Sequence, residues 1–168
     1  VLDPTLLLDR ADYERLVANE QEPPRDGSLF CYILDKAANK QQVIESAART
    51  TALQPFYTMP ELEPTIANVT RDIEACVFPA VTAWLRSFMD AKMVVTDSFH
   101  GCVFSIIFNK PFWVIGNAER GMARFKSLLS QFGLEERMIS VQDIATINWQ
   151  KPIDWQRVNA RRDALRVE

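Results

Sequence analysis

The sequence predicts an α/β fold with a mainly parallel sheet, in one domain that spans residues 1–168. Short apolar runs alternate with longer amphipathic stretches along the chain, which is typical of repeated β-α units. The composition agrees, because 48% hydrophobic and 24% charged residues are usual for a domain packed in water. A formal net charge of -3 provides no overall field that would favour nucleic acid or an anionic membrane as a partner.

The spacing of apolar residues predicts each element in turn. Strands are predicted over residues 28–34, 52–59, 93–96, 111–115 and 137–141. Helices are predicted over residues 9–19, 36–49, 78–90, 98–108, 122–132 and 154–166. Each strand is a short run of β-forming side chains, of which the run over residues 52–59 is the weakest. Each helix repeats apolar residues three or four positions apart.

Capping and breaking residues set the ends of several helices. Asp9 caps the first helix, and the polar run over residues 20–27 closes it. Gly133 closes the helix over residues 122–132. Pro79 is tolerated in the first turn of the helix over residues 78–90. The predicted apolar face of that helix consists of Phe78, Val81, Leu85 and Phe88.

The last helix, over residues 154–166, has two different faces. We expect it to pack on the domain through Trp155, Val158 and Leu165. Its basic side consists of Arg157, Arg161, Arg162 and Arg166. A solvated charged face explains these arginines without a binding site.

Residues 60–77 form the one long stretch without a clear pattern. They follow the strand over residues 52–59, so they are expected at the carboxyl edge of the sheet, where ligands bind in open α/β folds. Long irregular segments in compact domains are usually functional or mobile. The sequence leaves a lid and a disordered loop as equal alternatives.

Several protein classes are excluded. The cysteines, Cys31, Cys76 and Cys102, are odd in number and far apart, which predicts buried packing residues in a reducing, cytoplasmic protein rather than disulfides or a zinc site. No signal-peptide pattern and no membrane-spanning apolar run is present. Dinucleotide, P-loop, serine-hydrolase and zinc-protease motifs are also absent. No cofactor and no metal are therefore predicted.

The most informative segment is the polar turn between the strand over residues 93–96 and the helix over residues 98–108. It lies at the predicted carboxyl edge, where the free N–H groups and the dipole of the helix favour a phosphate or carboxylate. Thr96, Asp97 or Ser98 could cap this helix.

His100, the only histidine, lies in the first turn of the same helix. The position suits a proton donor that acts once an anionic substrate is bound. The alternative is a histidine that caps or hydrogen-bonds a buried helix start.

The loop over residues 116–121 opens on the same edge as the His100 turn. Arg120 and Arg124 near its end could hold a small dianion, since guanidinium groups bind phosphate and carboxylate in a bidentate way. Alternatively, the two arginines face solvent or pair with Glu119. Asp3, which precedes Pro4, is interpreted as a structural turn residue.

Together, these segments resemble the bacterial polysaccharide pyruvyl transferase family. The resemblance covers residues 1 to about 140 and rests on Asp3-Pro4-Thr5-Leu6-Leu7, Phe78-Pro79, Trp84-Leu85, Ala91, Val94-Val95-Thr96-Asp97-Ser98-Phe99-His100-Gly101, Phe104 to Phe112, Arg120-Gly121, Arg124-Phe125 and Ser127-Leu128-Leu129.

The resemblance implies a three-layer, Rossmann-like domain that is the second half of a two-domain enzyme similar to GT-B glycosyltransferases. Such enzymes transfer pyruvyl from phosphoenolpyruvate to two hydroxyls of a glycan or lipid-linked sugar, forming a ketal. The implied partners are this donor, the sugar acceptor and an N-terminal domain, in the cytoplasm or at the inner face of its membrane. An isolated half is expected to turn over poorly.

The resemblance also implies site residues. His100 is the expected acid or base. The expected substrate-binding residues are Ser98, Phe99, Gly101, Asn117, Arg120 and Arg124. Some members of the family carry arginine where this sequence has Ser98, which makes Arg120 or Arg124 a candidate substitute.

Two other interpretations of the sequence stay open. One is the donor-binding half of a nucleotide-sugar glycosyltransferase, which the same architecture permits. The other is a non-catalytic interaction domain of a polysaccharide assembly protein. The Asp97-Ser98-Phe99-His100 segment favours the pyruvyl transferase.

Overall fold

A computed structural model of the protein describes residues 2–18, 28–35, 37–116 and 121–167. The strands are β1 (Leu29–Tyr32), β2 (Pro55–Phe56), β3 (Met93–Thr96), β4 (Phe112–Ile115) and β5 (Met138–Ile139). The α-helices are α1 (Arg10–Val17), α2 (Ala38–Thr51), α3 (Ile66–Arg71), α4 (Val81–Asp90), α5 (Phe99–Ile107), α6 (Met122–Phe132) and α7 (Trp155–Val167). Short 3-10 turns lie at Pro4–Leu7, Glu74–Cys76, Glu135–Arg137 and Val141–Thr146.

All five strands are parallel and lie in the order β2-β1-β3-β4-β5. Their carboxyl ends therefore share one edge of the sheet. The chain proceeds from β1 towards one side of the sheet and from β3 towards the other, so the strand order reverses between β1 and β3. In open α/β sheets, ligands bind at the carboxyl edge beside this reversal.

Helices cover both faces of the sheet. The larger core contains Phe30 and Val94 from the strands and side chains of α1, α4, α5, α6 and α7. The smaller core contains Cys31 and Val95, which point to the opposite face and pack against α2 and Trp149. The three-layer α/β arrangement with a parallel sheet is confirmed.

Several predicted boundaries agree with the structure. β3 and α6 have the predicted bounds. The residue that follows α6 and closes it is Gly133, whose φ is 63°. The weak strand over residues 52–59 shortens to Pro55–Phe56. The polar run over residues 20–27 lies outside the described residues, as does Lys36.

The prediction for the start of α4 is wrong. The helix begins at Val81, so Pro79 precedes it and does not occupy its first turn. Phe78 is 55% exposed and Val81 is 65% exposed, whereas Leu85 and Phe88 are buried. The residue before a proline is driven out of the helical region, so Phe78 lies outside the helix and cannot share its apolar face.

Residues 60–77 are not irregular, which corrects the sequence analysis. They contain α3, whose cap Thr65 accepts a hydrogen bond from the Asn68 backbone N–H at 3.2 Å. The backbone of Leu62 donates to the carbonyl of Ala75 at 2.9 Å. This hydrogen bond closes the segment into a local helical unit with Cys76 buried beneath it.

The basic side of α7 is solvated only in part, since Arg157 and Arg161 are exposed, whereas Val158 packs into the core as predicted. Arg162 is only 8% exposed. Arg157 donates to the carbonyl of Gly133 at 3.1 Å, and Arg166 donates to the carbonyl of Leu6 at 2.8 Å. Carbonyls at the ends of helices and turns lack partners within the element, so these guanidinium groups satisfy them and fasten α7 to the domain.

The prediction that the cysteines are buried packing residues is confirmed, since Cys31, Cys76 and Cys102 are free and buried. Asp3 also has the predicted role, because its carboxylate accepts the Thr5 backbone N–H at 2.9 Å. Among the described residues, no helix combines the length and apolar character that a membrane crossing needs.

Candidate active site

Ser98 caps α5. It is one of the three residues predicted as candidates for this role. Its hydroxyl accepts a hydrogen bond from the Gly101 backbone N–H at 3.4 Å. The Thr96 hydroxyl donates to the carbonyl of Tyr32 at 2.7 Å and accepts the Ser98 N–H at 3.0 Å. These bonds hold the start of α5 against the ends of β1 and β3. The N-terminus of α5 therefore lies at the carboxyl edge of the sheet.

Gly101 is required where α5 passes over the end of β3. A Cβ atom added at Gly101 would lie 2.8 Å from Thr96 Cβ, too close for two carbon atoms. The glycine is buried by this contact. The close packing of α5 against Thr96 thus explains why residue 101 is a glycine, which the sequence did not reveal.

Asp97 does not cap α5 and instead forms a buried ion pair with Lys40. Its carboxylate accepts the Leu34 N–H at 2.7 Å and lies 2.6 Å from the Lys40 ammonium group. Lys40 also pairs with Asp35. The ion pair therefore joins the first turn of α2 to the end of β3, across the reversal of strand order.

Lys40 is a site-forming residue that the sequence analysis missed. A signal was present, because Lys40 lies three and four positions before Val43 and Ile44, on the apolar face of its helix. A lysine on a buried face needs a partner, but periodicity could not show that the partner is Asp97.

His100 is the second residue of α5 and is exposed at the carboxyl edge. Its ring meets the Phe99 ring edge-on, with 5.7 Å between the centroids. Among the described residues, the imidazole has no hydrogen-bond partner. The alternative in which His100 caps a buried helix start is wrong, because Ser98 is the cap and His100 is exposed.

Arg124 lies next to the same turn. Its guanidinium carbon is 4.5 Å from the centroid of the Phe99 ring, so a cation-π contact holds it beside α5. Arg124 and Phe99 line a groove of about 350 Å³ together with Asp3 and Ser127. The other two expected ligands from this region, Asn117 and Arg120, lie outside the described residues.

Tyr32 is a further polar group at this edge. It ends β1, and burial raises the pKa of its phenol, although a hydrogen bond with Ser98 partly offsets this effect. The phenol therefore stays neutral at physiological pH. The structure thus groups Ser98, Phe99, His100 and Arg124 around one helix terminus.

The family comparison matches this part of the chain. A family model described as polysaccharide pyruvyl transferase matches residues 1–119. The chain belongs to the polysaccharide pyruvyl transferase family. No curated protein matches the chain, and no solved structure matches it.

Membership of the polysaccharide pyruvyl transferase family confirms the resemblance and indicates a transferase that acts on a polysaccharide. The matched residues include β1 to β4 and the whole of α5, so they contain Ser98, Phe99, His100 and Gly101. Arg124 follows the matched region. Its place in the site therefore rests on its contact with Phe99 alone.

Proposed function

We propose that this chain is the C-terminal domain of a two-domain, GT-B-like polysaccharide pyruvyl transferase. The enzyme transfers pyruvyl from phosphoenolpyruvate to two hydroxyls of a surface polysaccharide or its lipid-linked precursor, at the cytoplasmic side of the membrane. The observation that carries this proposal is the imidazole of His100 at the N-terminus of α5, which is exposed and has no hydrogen-bond partner in the described part of the chain, within the segment that matches the family.

Phosphoenolpyruvate is a small anion with a phosphate and a carboxylate. The first N–H groups of α5 have no partners within the helix and suit one of these groups. Arg124 is held over Phe99 and suits the other, because a guanidinium group binds an oxyanion in a bidentate way. Asn117 and Arg120 complete the proposed donor site, and Ser98 and Gly101 shape its backbone.

His100 is proposed as the acid that starts the reaction. A proton is added to the methylene carbon of phosphoenolpyruvate, which becomes the methyl group and leaves C2 electron-poor. One sugar hydroxyl attacks C2, the bond from C2 to the phosphate oxygen breaks, and the second hydroxyl forms the ketal. The two hydroxyl protons balance the reaction, since one replaces the proton supplied to the methyl group and the other leaves with the phosphate.

Titration calorimetry with phosphoenolpyruvate tests the donor site on this chain. Arg124→Ala and Arg120→Ala are expected to weaken binding about tenfold or more, the usual loss when a charged hydrogen bond is removed. Arg49→Ala is the matched control, because Arg49 is exposed near the opposite end of α2 and should leave binding unchanged. Inorganic phosphate, titrated in parallel, measures general anion affinity.

The acid role of His100 is tested by turnover of the enzyme with both domains. His100→Ala is expected to lower kcat about 100-fold or more, the range for loss of a general acid. Turnover of His100→Ala near the parent rate would show that His100 is not the general acid. Stabilisation of this chain by a nucleotide sugar, with phosphoenolpyruvate inert, would instead favour the glycosyltransferase alternative.

A further inference from the structure

A second and larger cleft opens at the carboxyl ends of β1 and β2, with a volume of about 1150 Å³. One wall is the first part of α2, and the other is the segment over residues 72–80. The floor is formed by residues that follow the two strands, including Ile33 and Thr58. We call this space the β1-β2 cleft.

The charges around the β1-β2 cleft do not suit an anion. Three exposed carboxylates line it, on Glu61, Asp72 and Glu74. Among the described lining residues the cation is Lys40, and its charge is balanced by Asp97 and Asp35. A phosphate or carboxylate ligand would therefore meet these carboxylates, whereas a neutral ligand with hydroxyl donors would find acceptors in them.

The apolar lining of the β1-β2 cleft includes two exposed aromatic rings. Phe78 is 55% exposed and Tyr57 is 47% exposed, although large aromatic side chains are usually covered in a folded domain. Such rings provide flat surfaces on which the C–H face of a sugar packs. The two exposed rings thus give the cleft flat apolar surfaces in addition to its carboxylate acceptors.

Thr58 adds an unsatisfied polar group to the lining of the cleft. It lines the β1-β2 cleft, it is 8% exposed, and its buried hydroxyl has no hydrogen-bond partner among the described residues. Buried hydroxyls are normally satisfied; the Thr58 oxygen is itself covered in this conformation, so a ligand hydroxyl would pair with it only after the side chain turns towards the cleft. Gln41, exposed in the opposite wall, adds an amide that both donates and accepts.

We propose that the β1-β2 cleft is a binding site for a neutral pyranose of the acceptor glycan. This inference rests on the proposed function, since it supplies the hydroxyl-bearing substrate to the donor bound at α5. The Lys40–Asp97 ion pair lies between the two sites, because Lys40 lines the cleft and Asp97 immediately precedes the Ser98 cap. The anionic donor and the neutral acceptor thus bind at separate positions of the same sheet edge.

Saturation-transfer NMR on this chain tests the proposal with methyl glycosides of glucose, galactose and mannose as probes. At least one is expected to bind. Phe78→Leu is expected to weaken that binding about three- to tenfold through loss of the aromatic surface, while Phe78→Tyr retains it. Glu74→Gln is expected to weaken it as well, whereas the matched control Glu135→Gln, an exposed glutamate outside the cleft, has no effect.

The same variants separate this proposal from the donor site. Phe78→Leu should leave phosphoenolpyruvate affinity unchanged, and Arg124→Ala should leave glycoside binding unchanged. Glycoside binding with no donor binding would overturn the proposed donor site alone. Failure of all three glycosides to bind, or binding that Phe78→Leu and Glu74→Gln do not weaken, would overturn the acceptor site alone.

Discussion

The ammonium group of Lys40 lies 2.6 Å from the carboxylate of Asp97, and both side chains are buried. The two residues are 57 positions apart in the sequence. Their contact fastens α2 to the turn that precedes His100. The backbone N–H groups of Leu34 and Asp35 also donate to this carboxylate, at 2.7 and 3.3 Å, so Asp97 organises the reversal of strand order as a whole.

Loss of the Asp97 charge should therefore destabilise the fold. Asp97→Asn is expected to lower the free energy of unfolding by about 3 kcal/mol, because it leaves a buried lysine without one of its two carboxylate partners. Lys40→Met together with Asp97→Asn should cost less than the sum of the two single changes. Urea unfolding measures all three variants. A change below about 0.5 kcal/mol for Asp97→Asn would contradict the assigned role.

A methyl group at Gly101 should push α5 away from β3. Gly101→Ala places a Cβ atom 2.8 Å from Thr96 Cβ, and we expect a loss of about 1 to 3 kcal/mol in unfolding free energy from this overpacking. Thr96→Ala keeps that Cβ atom but removes the Thr96 hydroxyl and methyl groups, which the new Cβ would also meet, the methyl at 2.9 Å, so Gly101→Ala should cost less in that background. Equal costs in both backgrounds would show that the Thr96 hydroxyl and methyl groups are not the cause. Thermal unfolding of the four proteins completes the cycle.

Stability in acid should depend on Asp9. A hydrogen bond and the charge of Arg166 hold the pKa of Asp9 below its usual value of 3.8. A carboxylate with a lowered pKa in the folded state stabilises the fold above its unfolded pKa, and this contribution is lost as pH falls through the folded pKa. Asp9→Asn should therefore make the free energy of unfolding depend less on pH between about 2 and 5. Glu135→Gln, a change at an exposed carboxylate, is the control. Superimposable pH curves for Asp9→Asn and the parent would refute this.

The native thiols should react poorly. Burial raises the pKa of Cys31 to about 12 and also raises that of Cys102, so neither forms the reactive thiolate at about pH 8. A colorimetric disulfide reagent is expected to titrate at most one thiol in the native protein and all three in concentrated guanidinium chloride. Cys76→Ser provides the control, since it should abolish any fast reaction in the native state. Rapid reaction of two thiols without denaturant would disprove the prediction.

Much of the fold follows from local patterns. The continuous apolar run at Met93–Thr96 predicts a strand that is buried on both sides, and the structure places it in the middle of the sheet. The turn after it was predicted as a helix start with His100 in its first turn, which α5 confirms. Patterns of this kind are reliable because they depend only on residues close together in the sequence.

The errors have a common physical origin. The arginines of α7 were expected in solvent, yet Arg166 reaches the carbonyl of Leu6, 160 positions away. Phe78 was expected in the core, but the helix begins three residues later, at Val81. A periodic pattern shows that a side chain is basic or apolar; it does not show which distant carbonyl or surface the side chain will meet.

The sequence by itself determined the α/β class, the strand-turn-helix segment around His100 and membership of the polysaccharide pyruvyl transferase family, because these depend on the order of neighbouring residues. Only the tertiary structure decided the order of the strands, the Lys40–Asp97 ion pair, the contact of Arg124 with Phe99 and the β1-β2 cleft. Each of these joins elements that are separated along the chain, and their contact depends on how the helices and strands pack together in three dimensions.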